Sequence, residues 1–165
     1  VSSLREEGLI NLGYNRKTRK DIIRKLLDQV GIPYNQADWY PHEFSGGQKQ
    51  RIIIARALSM NPKFIVLDEP VSNLDVSIQA GILNLLLDLK KELNLTYIFI
   101  SHDLDIIAYL STKIGVLKAG QLVEVGKAEE VLSHPLHPYT RFLLENPLSF
   151  HSTIQPKEAF TKESV

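Results

Sequence analysis

Two short apolar runs separated by one helix-length stretch constrain this chain more than anything else in it. Phe64-Ile65-Val66-Leu67 passes directly into Asp68-Glu69-Pro70, and Thr96-Tyr97-Ile98-Phe99-Ile100 passes directly into Ser101-His102-Asp103. Between them, Ser77 to Leu93 sets Ile78, Ile82, Leu85, Leu86 and Leu89 on one stripe, the spacing of an amphipathic helix. Strands alternating with helices predict a parallel sheet, so both runs should end at the same sheet edge. Their nearly unbroken apolar character predicts strands buried on both faces.

The rest of the chain reads as further α/β material. Thr18 to Val30 carries Ile22, Ile23, Leu26, Leu27 and Val30 and stops at Gly31 and Pro33, a helix with its terminator. A loop over 33–44, rich in turn formers and aromatics, precedes a second helix from Gly46 to Met60, which Asn61-Pro62 breaks. A short helix is expected over 104–110 and another over 128–133, before a proline-punctuated tail from His134. Gly120 to Lys127 imitates a phosphate-binding loop, but five residues separate its glycines where that motif has four, and Ala128 stands where Ser or Thr should hold Mg²⁺. Its alternation predicts a hairpin instead, Ile114–Leu117 and Leu122–Val125 around Ala119-Gly120. No Gly-x-x-x-x-Gly-Lys-Ser/Thr occurs in the 165 residues.

Composition narrows the partners. Nineteen basic residues balance nineteen acidic ones, so no net field draws the chain to nucleic acid or an anionic membrane. Without cysteine there is neither a disulfide nor a thiolate metal site. No secretory signal or membrane-length apolar run is seen, so the expected protein is soluble and reaches a membrane only through other subunits. It begins with Val, not Met, which fits a fragment or an unusual start.

Three clusters carry candidate chemistry. Ser45-Gly46-Gly47-Gln48 satisfies the capping box of a helix start, yet two first-turn glycines each cost a helix about 1 kcal/mol relative to Ala. Their missing side chains would leave first-turn amides open to a phosphate. Asp68 is a hard carboxylate suited to Mg²⁺ through retained waters, and Glu69, which Pro70 biases toward extended geometry, can orient or deprotonate water. The alternative is a strand that simply ends in acidic turn residues. His102 can hydrogen-bond a terminal phosphate, or it can be structural beside a cap made by Ser101 or Asp103. Pro70-Val71-Ser72-Asn73-Leu74-Asp75 reads equally as a turn whose Asp75 or Ser77 caps the next helix.

Taken in order, these strings resemble the signature motif, Walker B motif, D-loop and H-loop of ABC transporter ATPases. Tyr40-Pro41-His42-Glu43-Phe44-Ser45-Gly46-Gly47-Gln48-Lys49-Gln50-Arg51, Pro70-Val71-Ser72-Asn73-Leu74-Asp75-Val76-Ser77-Ile78-Gln79-Ala80, and the tail His134-Pro135-Leu136-His137-Pro138-Tyr139-Thr140-Arg141 are similar to the oligopeptide and dipeptide (peptide/nickel) importer branch. The resemblance implies a P-loop NTPase-type, RecA-like α/β fold with helices on both faces of a parallel sheet, here incomplete. Residues 1–60 would be part of the helical signature subdomain, 61–133 the C-terminal part of the ATPase core, and 134–165 a C-terminal extension. It further implies that Ser45, Gly46, Gly47, Gln48 and Asp75 contact nucleotide, the signature residues reaching ATP held by the opposing subunit of a head-to-tail dimer. Asp68 would hold Mg²⁺, while Glu69 and His102 would act catalytically on their own subunit's ATP. Implied partners are a second ATPase subunit, identical or not, and transmembrane permease subunits fed by an extracellular or periplasmic peptide-binding protein. The expected location is peripheral, at the cytoplasmic face of the membrane, with no nucleic-acid partner. Because the P-loop, its strand, the adenine-stacking aromatic and the glutamine loop are not in the sequence, the chain is read as a C-terminal part, inactive alone. The rival readings are a noncatalytic remnant or interaction module and an importer of nickel or another solute. A DNA-repair or chromosome-organising ATPase is disfavoured because its heptad coiled coil is missing.

Overall fold

The computed structural model describes residues 15–146. The chain divides between Ile100 and Ser101 into two compact units.

In the first unit, α1 (Arg16–Gln29) starts on Asn15, whose side chain accepts the Thr18 amide hydrogen at 2.9 Å. It buries Ile23, Leu26 and Leu27, and the chain turns away through Gly31, whose φ of +68° suits glycine. Two single 3₁₀ turns, Tyr34–Gln36 and Pro41–Glu43, lead into α2 (Gly46–Leu58). Then follow β1 (Phe64–Asp68), α3 (Val76–Glu92) and β2 (Thr96–Ile100). The strands pair in parallel with Phe64 opposite Thr96 and Asp68 opposite Ile100, as the crossover helix predicts. On α3, Ile82, Leu83, Leu86 and Leu89 are at most 1% exposed, each burial contributing about 1.5–3 kcal/mol. The buried stripe therefore includes Leu83, while the expected Leu85 is only half-buried.

Burial of the strands departs from expectation. Ile65, Leu67, Tyr97 and Phe99 share one face by register, and the Tyr97 hydroxyl donates to the Leu86 carbonyl of α3 at 3.1 Å. Burial pushes that phenol up to about 12. The other face holds Phe64, Val66, Ile98 and Ile100, which are 50, 54, 49 and 42% exposed. An apolar run implies two covered faces only when the sheet's full set of neighbours is present, and two strands under one helix cover one. Among the described residues the second face lies bare.

The second unit packs α4 (Leu104–Leu110), β3 (Lys113–Lys118), β4 (Gln121–Lys127), α5 (Ala128–Ser133) and α6 (Pro138–Glu145). β3 and β4 form an antiparallel hairpin with Lys118 opposite Gln121, as the sequence predicts. The two loop residues, Ala119 and Gly120, both have positive φ (48° and 78°), the primed turn that matches strand twist. Ile114, Ala128 and Val131 form its core, backed by Ile107, Val116 and Leu132. A Cβ on Gly126 would fall 2.8 Å from the Val131 Cγ2, so this glycine serves close packing and not a phosphate.

The expected tail contains a helix, α6. Proline at its first position forfeits no intrahelical bond, and the His137 Nδ1 accepts the Tyr139 amide hydrogen at 3.1 Å as cap. Glu124 of β4 fixes the approach to it, its two oxygens accepting from the Leu136 and His137 amides at 2.8 and 3.0 Å. The Thr140 hydroxyl, buried beside it without a well-aligned hydrogen bond, and these two amides hold the Glu124 carboxyl below the usual carboxylate range. A carboxyl whose pKa is lower folded than unfolded stabilises the docked tail above its unfolded pKa, and this stabilisation is lost as the pH falls through the folded pKa. Hydrogen-exchange protection of the Leu136 and His137 amides should therefore disappear on acidification before that of the β3–β4 ladder. In Glu124→Gln the two amides should be weakly protected at neutral pH as well; unchanged protection in both experiments would assign the docking to other contacts.

Candidate functional site

The signature segment forms the start of α2. Ser45 is the N-cap, its Oγ accepting from the Gln48 amide at 3.3 Å while the Gln48 Oε1 accepts from the Ser45 amide at 3.0 Å. This reciprocal box uses the Ser45 and Gln48 amides; those of Gly46 and Gly47 are not part of it. Ser45 keeps its hydroxyl proton to donate elsewhere. The Gln48 Nε2 meets the Gln36 Oε1 at 3.4 Å, which turns this side chain toward the loop between α1 and α2.

The glycines have a second cause that sequence reasoning missed. A Cβ on Gly47, which is buried, would lie 2.5 Å from the Ile78 Cγ2, and one on Gly46 would lie 3.2 Å from the Leu74 Cδ2. Gly47 therefore stands at a close approach of α2 and α3, and the phosphate argument alone does not account for it. The same packing brings the α2 start against the loop 69–75.

That loop opens at the acidic strand end. Asp68, the last residue of β1, is exposed on the same face as Phe64 and Val66. Glu69 is half-buried and adopts φ +47°, in place of the extended geometry expected before Pro70. Its amide donates to the Ile100 carbonyl at 3.0 Å, one step beyond the ladder, and its carbonyl accepts from the Ser72 hydroxyl at 3.1 Å. These two bonds override the local bias from proline. A left-handed conformation costs a non-glycine residue about 1–2 kcal/mol, and such strain concentrates at functional positions.

Asp75 caps α3, its Oδ1 accepting from the Ile78 amide at 3.1 Å and from the Ser77 hydroxyl at 3.0 Å. Gln79, not singled out from the sequence, holds the loop's shape by donating to the Val71 and Leu74 carbonyls, each at 3.0 Å. Arg51, noted in the sequence only as the end of the string that resembles the importers, donates from its Nη1 to the Val30 carbonyl at 2.7 Å, tying α2 to the end of α1. His102 is exposed and opens the second unit, where the Ser101 Oγ accepts from the Asp103 amide at 3.0 Å and Asp103 caps α4 through the Asp105 and Ile106 amides.

The donor set fits a magnesium nucleotide in part. Asp68 is an accessible carboxylate, and the two glycine amides lie at the positive end of a 13-residue helix. Among the described residues no group of three or more His, Asp or Glu forms a metal cage, so Asp68 would be one ligand beside phosphate oxygens and waters.

A family model described as ABC transporter matches residues 2–72, and one described as Oligopeptide/dipeptide transporter, C-terminal region, matches residues 123–163. The oligopeptide transport ATP-binding protein OppF of Bacillus subtilis is 51% identical over 146 residues, 87% of this chain and 48% of its own length. Residues 2–72 belong to the ABC transporter family. The dipeptide transport ATP-binding protein DppF of Lactococcus lactis is 50% identical over 146 residues, 88% of this chain and 46% of its own. This chain thus spans about half the length of the curated relatives it matches. Its fold is that of a solved family member, CbiO1 from Clostridium perfringens, part of the ABC transporter complex CbiONQ, with TM-score 0.69 and 33% identity over 77% of this chain and 50% of the other. The ABC transporter match contains Ser45 to Gln48, Asp68 and Glu69, whereas Asp75 and His102 lie between the two matched segments. No helix among the described residues is long and apolar enough to cross a membrane.

Proposed function

We propose that this chain is the part of an ATP-hydrolysing subunit that closes over nucleotide and activates water, in an ABC importer of oligopeptides or dipeptides. The observation that carries the reading is the conjunction of the Ser45 to Gln48 helix start with the strained Glu69 on one α2–β1–α3 scaffold. The Ser45 hydroxyl and the Gly46 and Gly47 amides bind a γ-phosphate presented by the P-loop of a second ATPase subunit, identical or not. Gln48 holds that helix start in shape through its box, and Asp75 and Gln79 hold the adjoining loop. Asp68 and Glu69 serve the nucleotide of their own subunit, Asp68 through Mg²⁺ and Glu69 by orienting or deprotonating water, with His102 hydrogen-bonding the terminal phosphate. Bound Mg-ATP supplies the phosphoryl group and the cation that neutralises its charge.

In the division we favour, 1–60 belongs to the helical signature subdomain, 61–133 to the core and 134–165 to a C-terminal extension. The peptide branch is supported by the match over 123–163, which includes the Glu124 clamp and α6. The names of OppF and DppF support peptide as cargo. The working assembly places this subunit peripherally on the cytoplasmic face, against two permease subunits supplied by an external peptide-binding protein. In a strain whose gene for this sequence is deleted, uptake of labelled oligopeptide should stop and return with the restored gene. Normal peptide uptake with lost nickel uptake would move the cargo to the metal branch.

A further inference from the structure

We propose that the exposed basic side of α1, together with the aromatic Tyr34 of the loop after it, rests on the anionic head groups of a phospholipid bilayer. The 14 residues of α1 hold six cations, Arg16, Lys17, Arg19, Lys20, Arg24 and Lys25, against two carboxylates, Asp21 and Asp28, in a chain whose net charge is zero. Overall neutrality therefore conceals a local excess on a single helix. Because Ile23, Leu26 and Leu27 turn inward, Arg16, Lys17, Lys20, Arg24 and Lys25 are all exposed. A cleft of about 380 Å³ opens at the start of this side, where Arg16, Arg19 and Lys20 face Tyr34, Asn35 and Asp38 of the following loop. With three cations to one carboxylate, it is suited to a phosphodiester.

The arrangement favours a bilayer over an acidic protein segment for two reasons. The cations are spread along roughly 14 Å of helix on flexible stems, as a surface of many mobile charges requires. They also border an aromatic residue with a polar tip. Tyr34, 38% exposed, lies under the Arg24 guanidinium at 4.6 Å and lines the cleft with Arg16, Arg19 and Lys20. Basic and amphipathic aromatic side chains together are the composition found at head-group level. The inference is independent of the nucleotide reading, since none of these residues belongs to the α2 start or the acidic strand end.

Sedimentation of the full chain with vesicles tests it. Phosphatidylcholine vesicles containing phosphatidylglycerol should bind the chain, with affinity falling as salt rises, and pure phosphatidylcholine vesicles should not. Arg16→Gln, Lys20→Gln and Arg24→Gln combined should weaken binding on the order of a hundredfold, whereas Lys90→Gln at the far end of α3 should leave it unchanged. Circular dichroism of the combined variant should match the parent, which separates lost charge from lost helix. Equal binding to both vesicle types, equal binding by the combined variant, or binding of soluble poly-glutamate without binding of phosphatidylglycerol vesicles would overturn the proposal.

Discussion

Replacing Glu69 by Gln lowers ATP turnover of a complete subunit carrying this sequence by about 10²- to 10⁴-fold, the usual cost of removing a general base, while ATP stays bound. The amide keeps the size of the carboxylate but cannot accept a proton. The backbone at this position is held by the Ile100 carbonyl and the Ser72 hydroxyl, neither of which depends on the side chain's charge, so the left-handed geometry survives the substitution. A dimer closed over ATP should consequently accumulate. Phosphate release and nucleotide retention measured on the same preparation decide the matter: turnover near that of the parent would remove Glu69 from the chemistry and leave His102 as the next candidate.

Gly47→Ala destabilises the chain by about 1–3 kcal/mol, the range for overpacking a well-filled contact. The added Cβ would stand 2.5 Å from the Ile78 Cγ2, a separation that neither helix can relieve without shifting. Thermal or denaturant melting should show the loss, and Ile78→Ala in the same chain should recover much of it by opening the space. Gly46→Ala, whose nearest atom is the movable end of Leu74 at 3.2 Å, should cost less. The double substitution also separates the two reasons for this glycine. If stability returns in the double variant while ATP turnover of the complete subunit stays low, the bare amide serves phosphate as well as packing. An unchanged melting point for Gly47→Ala would contradict the close α2–α3 approach.

Elements whose signal is local were legible in the sequence. The β1–α3–β2 crossover, the Ala119-Gly120 hairpin and the ends of the three longest helices follow from periodicity, turn residues and caps within a few positions. Features set by a distant partner were not. Whether Phe64, Val66, Ile98 and Ile100 are covered depends on what lies across the sheet, which no run of apolar letters states. Pro70 biases Glu69 toward extended backbone, but the Ile100 carbonyl, some thirty residues away, wins. Ile78 dictates Gly47 from another helix, and Glu124 prepares the start of α6 from a strand. In the candidate site, residue types and order could be read directly; the strain at Glu69 and the roles of Arg51 and Gln79 needed the fold.

Equilibrium binding of labelled ATP to the 165-residue chain, alone and mixed with a complete subunit that carries a P-loop, tests the central claim most directly. The sequence holds a signature helix start and an acidic strand end but no Gly-x-x-x-x-Gly-Lys-Ser/Thr. Closure over ATP should thus require the partner's phosphate-binding loop. The predicted result is no micromolar affinity for the chain alone and ATP-dependent association with the complete subunit, abolished by replacing Ser45 with a bulky Arg. Micromolar affinity of the isolated chain for ATP would contradict the account.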